Sequence, residues 1–493
     1  MNHKSPGEDK IQECPAPSTF EYLEYRARND PDHIALATPT RRVTYLSFYQ
    51  DAKRFSIALS TQGVTKGSVV VIIANSDIYV HWLLLIACEN NGAISVSCPD
   101  VKSLKFIDFL NEVDFLITDD TDTIELAKGS YLRIDADWLN KVFGMIVHDN
   151  SYHFQNLVSL DDAQRITHSS GTTGGNKAMI LKRKAQEEKM RFLAENLHPG
   201  SEDCLLITMP FSVNSSYLCA THFLRLGLLI VYGPIVWALQ KYPVTYLEIL
   251  PIALGDLLKE IPDDFIKPKQ LSIKVIGAPY SSDLKEKCLL KICTEISGRY
   301  ATNEVWPIAY GVNHEGVGIL ASGVHVKILD DLGMEVAEGN IGQIAVKSST
   351  MIEGYYKNDG ATAKQFIDGY LLTGDLGRLL PSRKLQVLGR CDDLINLGGI
   401  KLSPEPIEAK LKSIDGVVDL AVTSIRSDQL MDDFCVAVLI KNITDRQAIT
   451  RKIMTNVSLL GCHRVKLKFI DSLPKTENGK LSRKMLRQMF ING

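Results

Sequence analysis

The sequence contains no apolar run long enough to cross a membrane. Its two most apolar stretches, Ser68–Ala74 and Val80–Cys88, are separated by the polar residues 75–77. A transmembrane helix needs about 20 apolar residues, and neither stretch reaches that length. Residues 1–20 lack the apolar core of a secretory signal peptide and have the character of a polar tail. These absences predict a soluble, cytoplasmic protein with no membrane span.

A strong net charge and paired cysteines are also absent. Lys and Arg number 55 and Asp and Glu number 58, so the formal net charge is −3 over 493 residues. A large basic surface for nucleic acid is therefore not predicted, and we expect no nucleic-acid partner. The ten cysteines include no C-x-x-C pair. In a large chain without a signal sequence, they are expected to be reduced core or surface residues rather than a disulfide framework.

The chain is rich in short β-branched runs that alternate with amphipathic segments. Val69–Ala74 predicts a buried strand, and Ile78–Cys88 predicts a helix after it. Strands that alternate with helices favour layered α/β architecture with largely parallel sheets. Similar strand signals occur at Gly92–Val96, Cys204–Met209, Gly227–Tyr232 and Ile273–Ile276.

The pattern changes to shorter strands with glycine-bearing turns at about Gly323, as at Val324–Leu329 and Gly342–Val346. We expect a β-rich part over residues 323–391, inside a large N-terminal domain of residues 21–391. Residues 392–493 are numerous enough for a small α+β core of their own. The charged turn at residues 389–393 predicts a hinge at Asp392.

A loop of small hydroxyl residues and glycines is the first motif with clear chemistry. Such a loop can direct backbone N–H groups and hydroxyls at phosphate oxygens, and Lys177 adds a positive charge. It is not a Walker A loop, because the Gly-Lys-Ser/Thr ending is missing. The same composition is also typical of ordinary surface turns. The loop residues are Ser170, Gly171, Thr172, Thr173 and Gly174.

Further motifs follow in a fixed order, and together they resemble a known superfamily. They are Tyr300–Glu304, Thr373–Asp375, Gly389–Asp393, Gly398–Glu408 and Leu473–Arg483. With Ser170–Lys177, this set resembles the adenylate-forming superfamily: acyl-CoA synthetases, adenylation domains of peptide synthetases, and luciferases. The resemblance covers the chain from about residue 20 to its end. It implies that ATP, Mg²⁺ and a carboxylic acid yield acyl-AMP and pyrophosphate. The acyl group then passes to a thiol of coenzyme A or of a carrier protein's phosphopantetheine.

The resemblance also implies roles for residues at the nucleotide. Tyr300 would lie against adenine, Asp375 would bind the ribose hydroxyls, and Arg390 would contact the nucleotide. Glu304 would hold Mg²⁺, a hard cation that prefers carboxylate and phosphate oxygens. The remaining ATP-binding candidates are Gly277, Ala278 and Pro279 beside adenine, and Ala301 and Asn303, which depart from the family's Tyr-Gly-x-Thr-Glu.

Three further roles come from the resemblance in the last hundred residues. Lys480 corresponds to the catalytic lysine, which bridges the attacking carboxylate and the α-phosphate. Asp392 corresponds to the hinge about which the small domain rotates between the two half-reactions. Gly398 and Gly399 would line the pantetheine tunnel. Pro406 replaces the usual Glu of this motif.

The acid is predicted from the segment Met209–Ser215, which should line the acyl pocket with Phe211. Relatives that activate α-amino acids place an Asp there. Alignment on the proline puts Asn214 at that position, and alignment on the phenylalanine puts Ser212 there. Because neither is anionic, a buried ammonium would lack a partner. We expect an aryl, cyclic or branched acid without charge beyond its carboxylate, although Asn214 could equally be a plain amide in the pocket wall.

Two alternatives remain open from the sequence, and a third lacks its motif. A stand-alone amino-acid adenylation enzyme would share every nucleotide motif. A degenerate nucleotide-binding member without activity is suggested only by Ala301, Asn303 and Pro406. An NTPase or kinase would need a Walker A or kinase loop, and the chain has neither.

Overall fold

The structure of the protein is a computed structural model that describes the chain between residues 18 and 491 with several gaps. The described residues are 18–107, 109–120, 129–147, 159–169, 177–197, 199–397, 400–402, 404–425, 433–440, 446–459, 464–475 and 481–491. Within these ranges the chain forms four β-sheets, of six, 14, three and two strands. None of the helices in these ranges combines the length and apolarity of a membrane span.

The strands are numbered in chain order. They are β1 (Ile34–Ala37), β2 (Arg42–Thr44), β3 (Val69–Ile73), β4 (Ile94–Ser97), β5 (Phe115–Thr118), β6 (Ser130–Arg133), β7 (Ala163–Ser169), β8 (Lys177–Lys182), β9 (Cys204–Ile207), β10 (Leu229–Tyr232), β11 (Tyr246–Ile249), β12 (Ser272–Val275), β13 (Glu295–Tyr300), β14 (Ala309–Val312), β15 (Val317–Leu320), β16 (His325–Leu329), β17 (Gly342–Lys347), β18 (Phe366–Ile367), β19 (Tyr370–Leu380), β20 (Lys384–Arg390), β21 (Ile395–Leu397), β22 (Ile400–Leu402), β23 (Val417–Ile425), β24 (Asp433–Ile440) and β25 (Val465–Phe469).

The helices are numbered in the same way. They are α1 (Thr19–Asn29), α2 (Tyr45–Thr61), α3 (Ile78–Asn90), α4 (Ala136–Phe143), α5 (Arg183–Leu197), α6 (Asn214–Leu226), α7 (Ile235–Lys241), α8 (Pro251–Glu260), α9 (Ser282–Lys291), α10 (Asp359–Gln365), α11 (Pro404–Lys412), α12 (Arg446–Ser458) and α13 (Arg483–Ile491).

The six-stranded sheet has the order β6-β5-β3-β4-β7-β8, and only its β7–β8 pair is antiparallel. All five residues of β3 are buried, as expected for a strand covered on both faces. Asp77 caps α3 by accepting a hydrogen bond from the backbone N–H of Tyr79 at 2.8 Å. The predicted strand at Val69–Ala74 and helix at Ile78–Cys88 are therefore both present.

The 14-stranded sheet joins a parallel half to an antiparallel half. Strands β1, β10, β9, β11, β12 and β13 pair parallel with one another in that order. At one edge β2 pairs antiparallel with β1, and beyond β13 the strands pair antiparallel. The antiparallel strands begin at Ala309, upstream of the predicted start at Gly323, and they continue the same sheet. The segments that follow β12 and β13 therefore leave from the carboxyl ends of parallel strands, where α/β folds place their ligands.

The last hundred residues contain a three-stranded sheet, β23-β24-β25, with its own core. Val422, Phe434 and Val436 of this sheet pack with Ile407 and Leu411 of α11. Helix α11 begins at Pro404 and buries its apolar side. The division into two domains with a hinge at Asp392 remains our proposal.

Candidate active site

The predicted ribose contact lies in a hydrogen-bonded triad at the end of β13. The hydroxyl of Tyr300 donates to Asp375 Oδ2 at 2.6 Å. Asp375 pairs with Arg390 across β19 and β20, and Arg390 Nη1 donates to Asp375 Oδ1 at 3.0 Å. Burial raises the pKa of Asp375, while Arg390 and Tyr300 oppose that rise. The structure thus brings together three predicted nucleotide residues that are far apart in sequence.

Backbone contacts hold this carboxylate in place. The backbone N–H of Asp375 donates to Thr373 Oγ1 at 3.1 Å, and Arg390 Nη1 also donates to the Thr373 carbonyl oxygen at 2.9 Å. Gly374 has φ +73°, and a Cβ there would lie 2.8 Å from Arg390 Nη2. Glycine is therefore required between Thr373 and Asp375. The carboxylate is fixed before any diol arrives.

We predict that Asp375→Asn weakens ATP binding without unfolding the protein. The amide removes the negative charge and turns one acceptor into a donor that faces the N–H groups of Arg390. Charge-assisted hydrogen bonds contribute about 1.5–3 kcal/mol, so the KM for ATP should rise about 10- to 100-fold. The KM is measured by pyrophosphate release, with Thr373→Ser as a control that keeps the hydroxyl. An unchanged KM for ATP would remove Asp375 from the ribose site.

The predicted adenine segment lies beside this triad. Gly277, Ala278 and Pro279 are exposed directly after β12, and Gly277 has φ +82°, a conformation that favours glycine. Val275 of β12 pairs with Gly298 of β13. The segments that follow these neighbouring strands therefore emerge side by side.

A second group of contacts links Glu304 to Lys177. The hydroxyl of Tyr355 donates to Glu304 Oε1 at 2.9 Å, and Glu304 is only 8% exposed. Lys177 Nζ lies 4.6 Å from the centre of the Tyr355 ring and donates to Gln365 Oε1 at 2.7 Å. Burial, followed by the charge of Glu304, raises the pKa of Tyr355 well above its ordinary value. An aromatic face and an amide thus hold the side chain of Lys177.

The two departures in the Tyr300–Glu304 motif have structural explanations. Asn303 Nδ2 donates to the carbonyl oxygen of His168 at 3.0 Å. This bond fastens the segment after β13 to the end of β7, directly before the predicted phosphate loop. Ala301 packs against the main apolar core of the N-terminal half. Both residues therefore make contacts around the site.

Several predicted residues lie outside the described part of the chain. The residues on either side of the predicted phosphate loop are described, and Ser169 pairs with Lys177 across β7 and β8. Both flanks of the predicted loop therefore lie side by side. The predicted residues outside the described ranges are Ser170, Gly171, Thr172, Thr173, Gly174, Gly398, Gly399 and Lys480.

The predicted hinge is tied to the C-terminal helix. Asp392 is exposed in a 3-10 turn, and its carbonyl oxygen accepts from Arg487 Nη2 at 2.5 Å. Asp393 lies 3.2 Å from Arg487 and 3.4 Å from Arg483. Arg483, the last residue of the Lys480 motif, also donates to Glu408 at 2.5 Å and is buried. The arginine thus connects this motif, α11 and the hinge.

The predicted acyl-pocket residues lie at the start of α6. Asn214 is its first residue and is buried, and its Oδ1 has no hydrogen-bond partner among the described residues. Phe211 is fully buried, with its ring centre 5.1 Å from that of Trp82 and 5.9 Å from that of His81. Ser212 is only half-buried. Of the two residues that alternative alignments place opposite the family's Asp, Asn214 is the buried one.

We predict that the free energy of unfolding depends on pH because of His81, which lies beside the ring of Phe211. Burial and then the charge of Arg165 lower its pKa to about 3, whereas an unfolded histidine titrates near 6.5. Only the unfolded chain is protonated between these values, so stability is full above about pH 6.5 and falls as the pH drops. His81→Gln should reduce the pH slope of the unfolding free energy between pH 6 and 4.5 by about 1 kcal/mol per pH unit. Urea unfolding measures the slope, with exposed His325→Gln as control; identical slopes for wild type and His81→Gln would refute the prediction.

A family model described as "AMP-binding enzyme" matches residues 23–356. The chain belongs to the family of AMP-binding enzymes. The predicted reaction class, an AMP-forming acid–thiol ligase, and the predicted α/β fold class are confirmed.

Three relatives illustrate the similarity. The chain is 27% identical over 389 residues to 4-coumarate-CoA ligase 1 of Narcissus pseudonarcissus, covering 69% of each chain. It is 24% identical over 513 residues to 2-succinylbenzoate–CoA ligase of Listeria innocua, covering 96% of this chain and 99% of the relative. The structure of O-succinylbenzoate coenzyme A synthetase from Bacillus subtilis with ATP and a magnesium ion has a TM-score of 0.79 at 21% identity, covering 94% and 99% of the two chains. At this identity, the structural match establishes the fold.

Proposed function

We propose that the enzyme converts a carboxylic acid without an α-ammonium group into acyl-AMP and pyrophosphate, and then into its coenzyme A thioester. The observation that carries this proposal is the grouping of Tyr300, Asp375 and Arg390 near the carboxyl ends of the parallel strands. Lys177 would supply a positive charge for the phosphates, and Glu304, joined to it through Tyr355, would supply a carboxylate for Mg²⁺.

In the first half-reaction, the nucleotide would be held from two directions. Asp375 is fixed by Arg390 and Tyr300, and its carboxylate would accept hydrogen bonds from both ribose hydroxyls. Lys177 would donate to phosphate oxygens. Glu304 is the carboxylate suited to hold Mg²⁺ together with phosphate oxygens, and the ion would supply charge neutralisation.

Lys480 is proposed to act where the two anions meet. A carboxylate oxygen attacks the α-phosphorus, the bond to the β-phosphate bridge oxygen breaks, and pyrophosphate leaves. A lysine between the carboxylate and the α-phosphate would lower the repulsion during this approach. In the second half-reaction, the thiol sulfur attacks the carbonyl carbon, and AMP leaves with the oxygen that came from the acid.

The charge beside the acyl pocket supports an acid without an ammonium group. Arg165 Nη2 donates to the carbonyl oxygen of Phe211 at 2.9 Å, which places a buried cation against the pocket wall. A substrate ammonium would meet this positive charge, and Asn214 offers it no anion. The cost of an unpaired buried charge disfavours α-amino acids.

Coenzyme A is the proposed acceptor because two relatives matched over most of their length are named as coenzyme A ligases. The carrier protein's phosphopantetheine carries the same reactive thiol and is the alternative. Both acceptors would react with the same acyl-AMP, so only an assay with each acceptor separately distinguishes coenzyme A from a carrier protein.

The test is a pyrophosphate-release assay with a panel of acids, each offered with and without an α-amino group. Coenzyme A and a phosphopantetheinylated carrier protein are then added separately, and AMP and thioester are measured by mass spectrometry. The proposal predicts acid-dependent pyrophosphate, preference for the acids without the amino group, and a coenzyme A thioester. Release of ADP and phosphate, or preference for an α-amino acid, would overturn it; transfer only to the carrier protein would overturn the assignment of the acceptor.

A further inference from the structure

Two buried cations, Arg165 and Lys189, lie near the proposed acyl pocket. Neither forms an ion pair with a carboxylate of the described residues. Lys189 on α5 is completely buried, and its Nζ makes no hydrogen bond to any described residue. Arg165 on β7 is 2% exposed, and its Nε and Nη1 also lack hydrogen-bond partners within the described ranges. Because an unpaired buried charge is costly, a fold that retains two of them together calls for an explanation.

The contacts of Arg165 place it at the acyl side of the site, and α5, which carries Lys189, packs against α6. Arg165 donates from Nη2 to the Phe211 carbonyl oxygen at 2.9 Å, and its guanidinium carbon lies 4.0 Å from the centre of the Tyr217 ring. Burial, with Arg165 adding to it, lowers the pKa of Lys189 to about 8, and Glu304 opposes this change. Lys189 is therefore within electrostatic reach of both Arg165 and Glu304.

The carboxylates in reach contact other partners. Glu89 Oε1 accepts from the backbone N–H of Thr19 at 3.1 Å and lies 3.7 Å from Arg225, while Glu89 Oε2 has no hydrogen-bond partner among the described residues. Glu304 accepts from Tyr355. Neither carboxylate forms an ion pair with Arg165 or Lys189 among the contacts of the described residues.

Neutral polar groups accompany the two cations. Gln186 precedes Lys189 by three residues and so lies on the same face of α5. It is buried, and both atoms of its amide lack hydrogen-bond partners in the described part of the chain, as does Oδ1 of Asn214. Amides and cations with unused hydrogen-bonding capacity indicate a polar ligand with an anionic group rather than an apolar acyl tail.

We propose that Arg165 and Lys189 bind a second carboxylate of the acid substrate, so that the enzyme activates a dicarboxylic acid. This inference rests on the proposed function and names its substrate class. It revises the expectation, drawn from Asn214, of an acid without further charge. Arg165 is suited to bind a carboxylate through its planar N–H groups, and Lys189 adds a point charge.

The test compares dicarboxylic acids with their monoamides, which have almost the same shape but lack the second charge. The probes are the linear diacids of four to eight carbons and the three benzenedicarboxylic acids, assayed by pyrophosphate release. Wild type should prefer the best diacid over its monoamide by about 10- to 100-fold in kcat/KM, as expected for charge-assisted hydrogen bonds. Lys189→Met and Arg165→Met should each reduce this ratio about tenfold or more, and Lys189→Arg should largely retain it.

Lys184→Met is the matched control, because Lys184 is exposed on the same helix. It should leave the ratio unchanged, and thermal denaturation identifies the variants that are folded. A wild type that uses monoamides or monocarboxylic acids as well as diacids would overturn the inference while leaving the proposed function intact. If the Met variants lost kcat/KM equally for the diacid and its monoamide, the cations would be assigned to the reacting carboxylate. If only the KM for ATP rose, they would be assigned to the polyphosphate. Either result would also overturn the inference. If no acid released pyrophosphate, the proposed function itself would fall.

Discussion

Replacing Lys480 with Ala is expected to abolish acyl-AMP formation while thioester formation from supplied acyl-AMP persists. Two anions must approach each other in the first half-reaction, and the lysine neutralises part of their charge at the reacting centre. Loss of one such interaction costs about 10²–10³ in rate. In the second half-reaction the mixed anhydride already carries its leaving group, and the proposed rotation of the small domain would remove this lysine.

Each half-reaction is measured separately for this variant. Pyrophosphate release reports the first, and coenzyme A thioester from synthetic acyl-AMP reports the second. Lys475→Ala is the matched control, since this lysine lies in the same motif and is not assigned to the reacting centre. Equal losses in both half-reactions of a folded Lys480→Ala enzyme would show that one conformation serves both steps.

Asp392→Pro is expected to separate the two half-reactions in the opposite sense. Proline fixes φ near −65° and restricts the residue before it, so rotation about the predicted hinge should be hindered. The carbonyl oxygen of Asp392 is held by Arg487, and Asp393 contacts Arg483 and Arg487, so a small backbone change here also reaches α13. Adenylation should persist, whereas the rate of thioester formation should fall about a hundredfold, which is the loss expected when catalytic groups are displaced from their reacting positions.

Asp392→Ala separates the backbone effect from the loss of the side chain. It removes the carboxylate but leaves φ free, so it should retain most thioester formation. Both variants are compared in the same two assays used for Lys480. Normal thioester formation by Asp392→Pro would place the hinge elsewhere, and equal damage by Asp392→Ala would make the carboxylate, rather than rotation, the important feature.

The sequence motifs predicted residues that the fold brings together, because the motifs carry chemistry that few other patterns share. Tyr300, Asp375 and Arg390 were predicted at the nucleotide from the resemblance of their motifs to a known superfamily, and the structure joins them by hydrogen bonds. The alternation of strands and helices predicted the parallel half of the large sheet. The antiparallel strands begin at Ala309, upstream of the start expected at Gly323.

Other site residues had no signal in the sequence. Tyr355 follows Glu304 by about fifty residues and contacts it only through the fold. Lys189 stands in the charged segment Arg183–Leu197, where a lysine normally faces solvent, yet it is completely buried. Arg165 lies in a short strand before the phosphate loop. Arg165 meets Phe211 and Tyr217, and α5 packs against α6, through contacts between distant segments, which a local pattern does not encode.

The fate of the acid's own oxygen tests the central claim most directly. The best acid from the panel is labelled with oxygen-18 at the carboxylate and turned over with ATP, Mg²⁺ and coenzyme A, and the AMP is weighed by mass spectrometry. Attack of the carboxylate on the α-phosphorus, followed by thiol attack on the carbonyl carbon, predicts one labelled oxygen in each AMP and one in the thioester carbonyl. AMP without label, or label in inorganic phosphate, would contradict an acyl-adenylate intermediate.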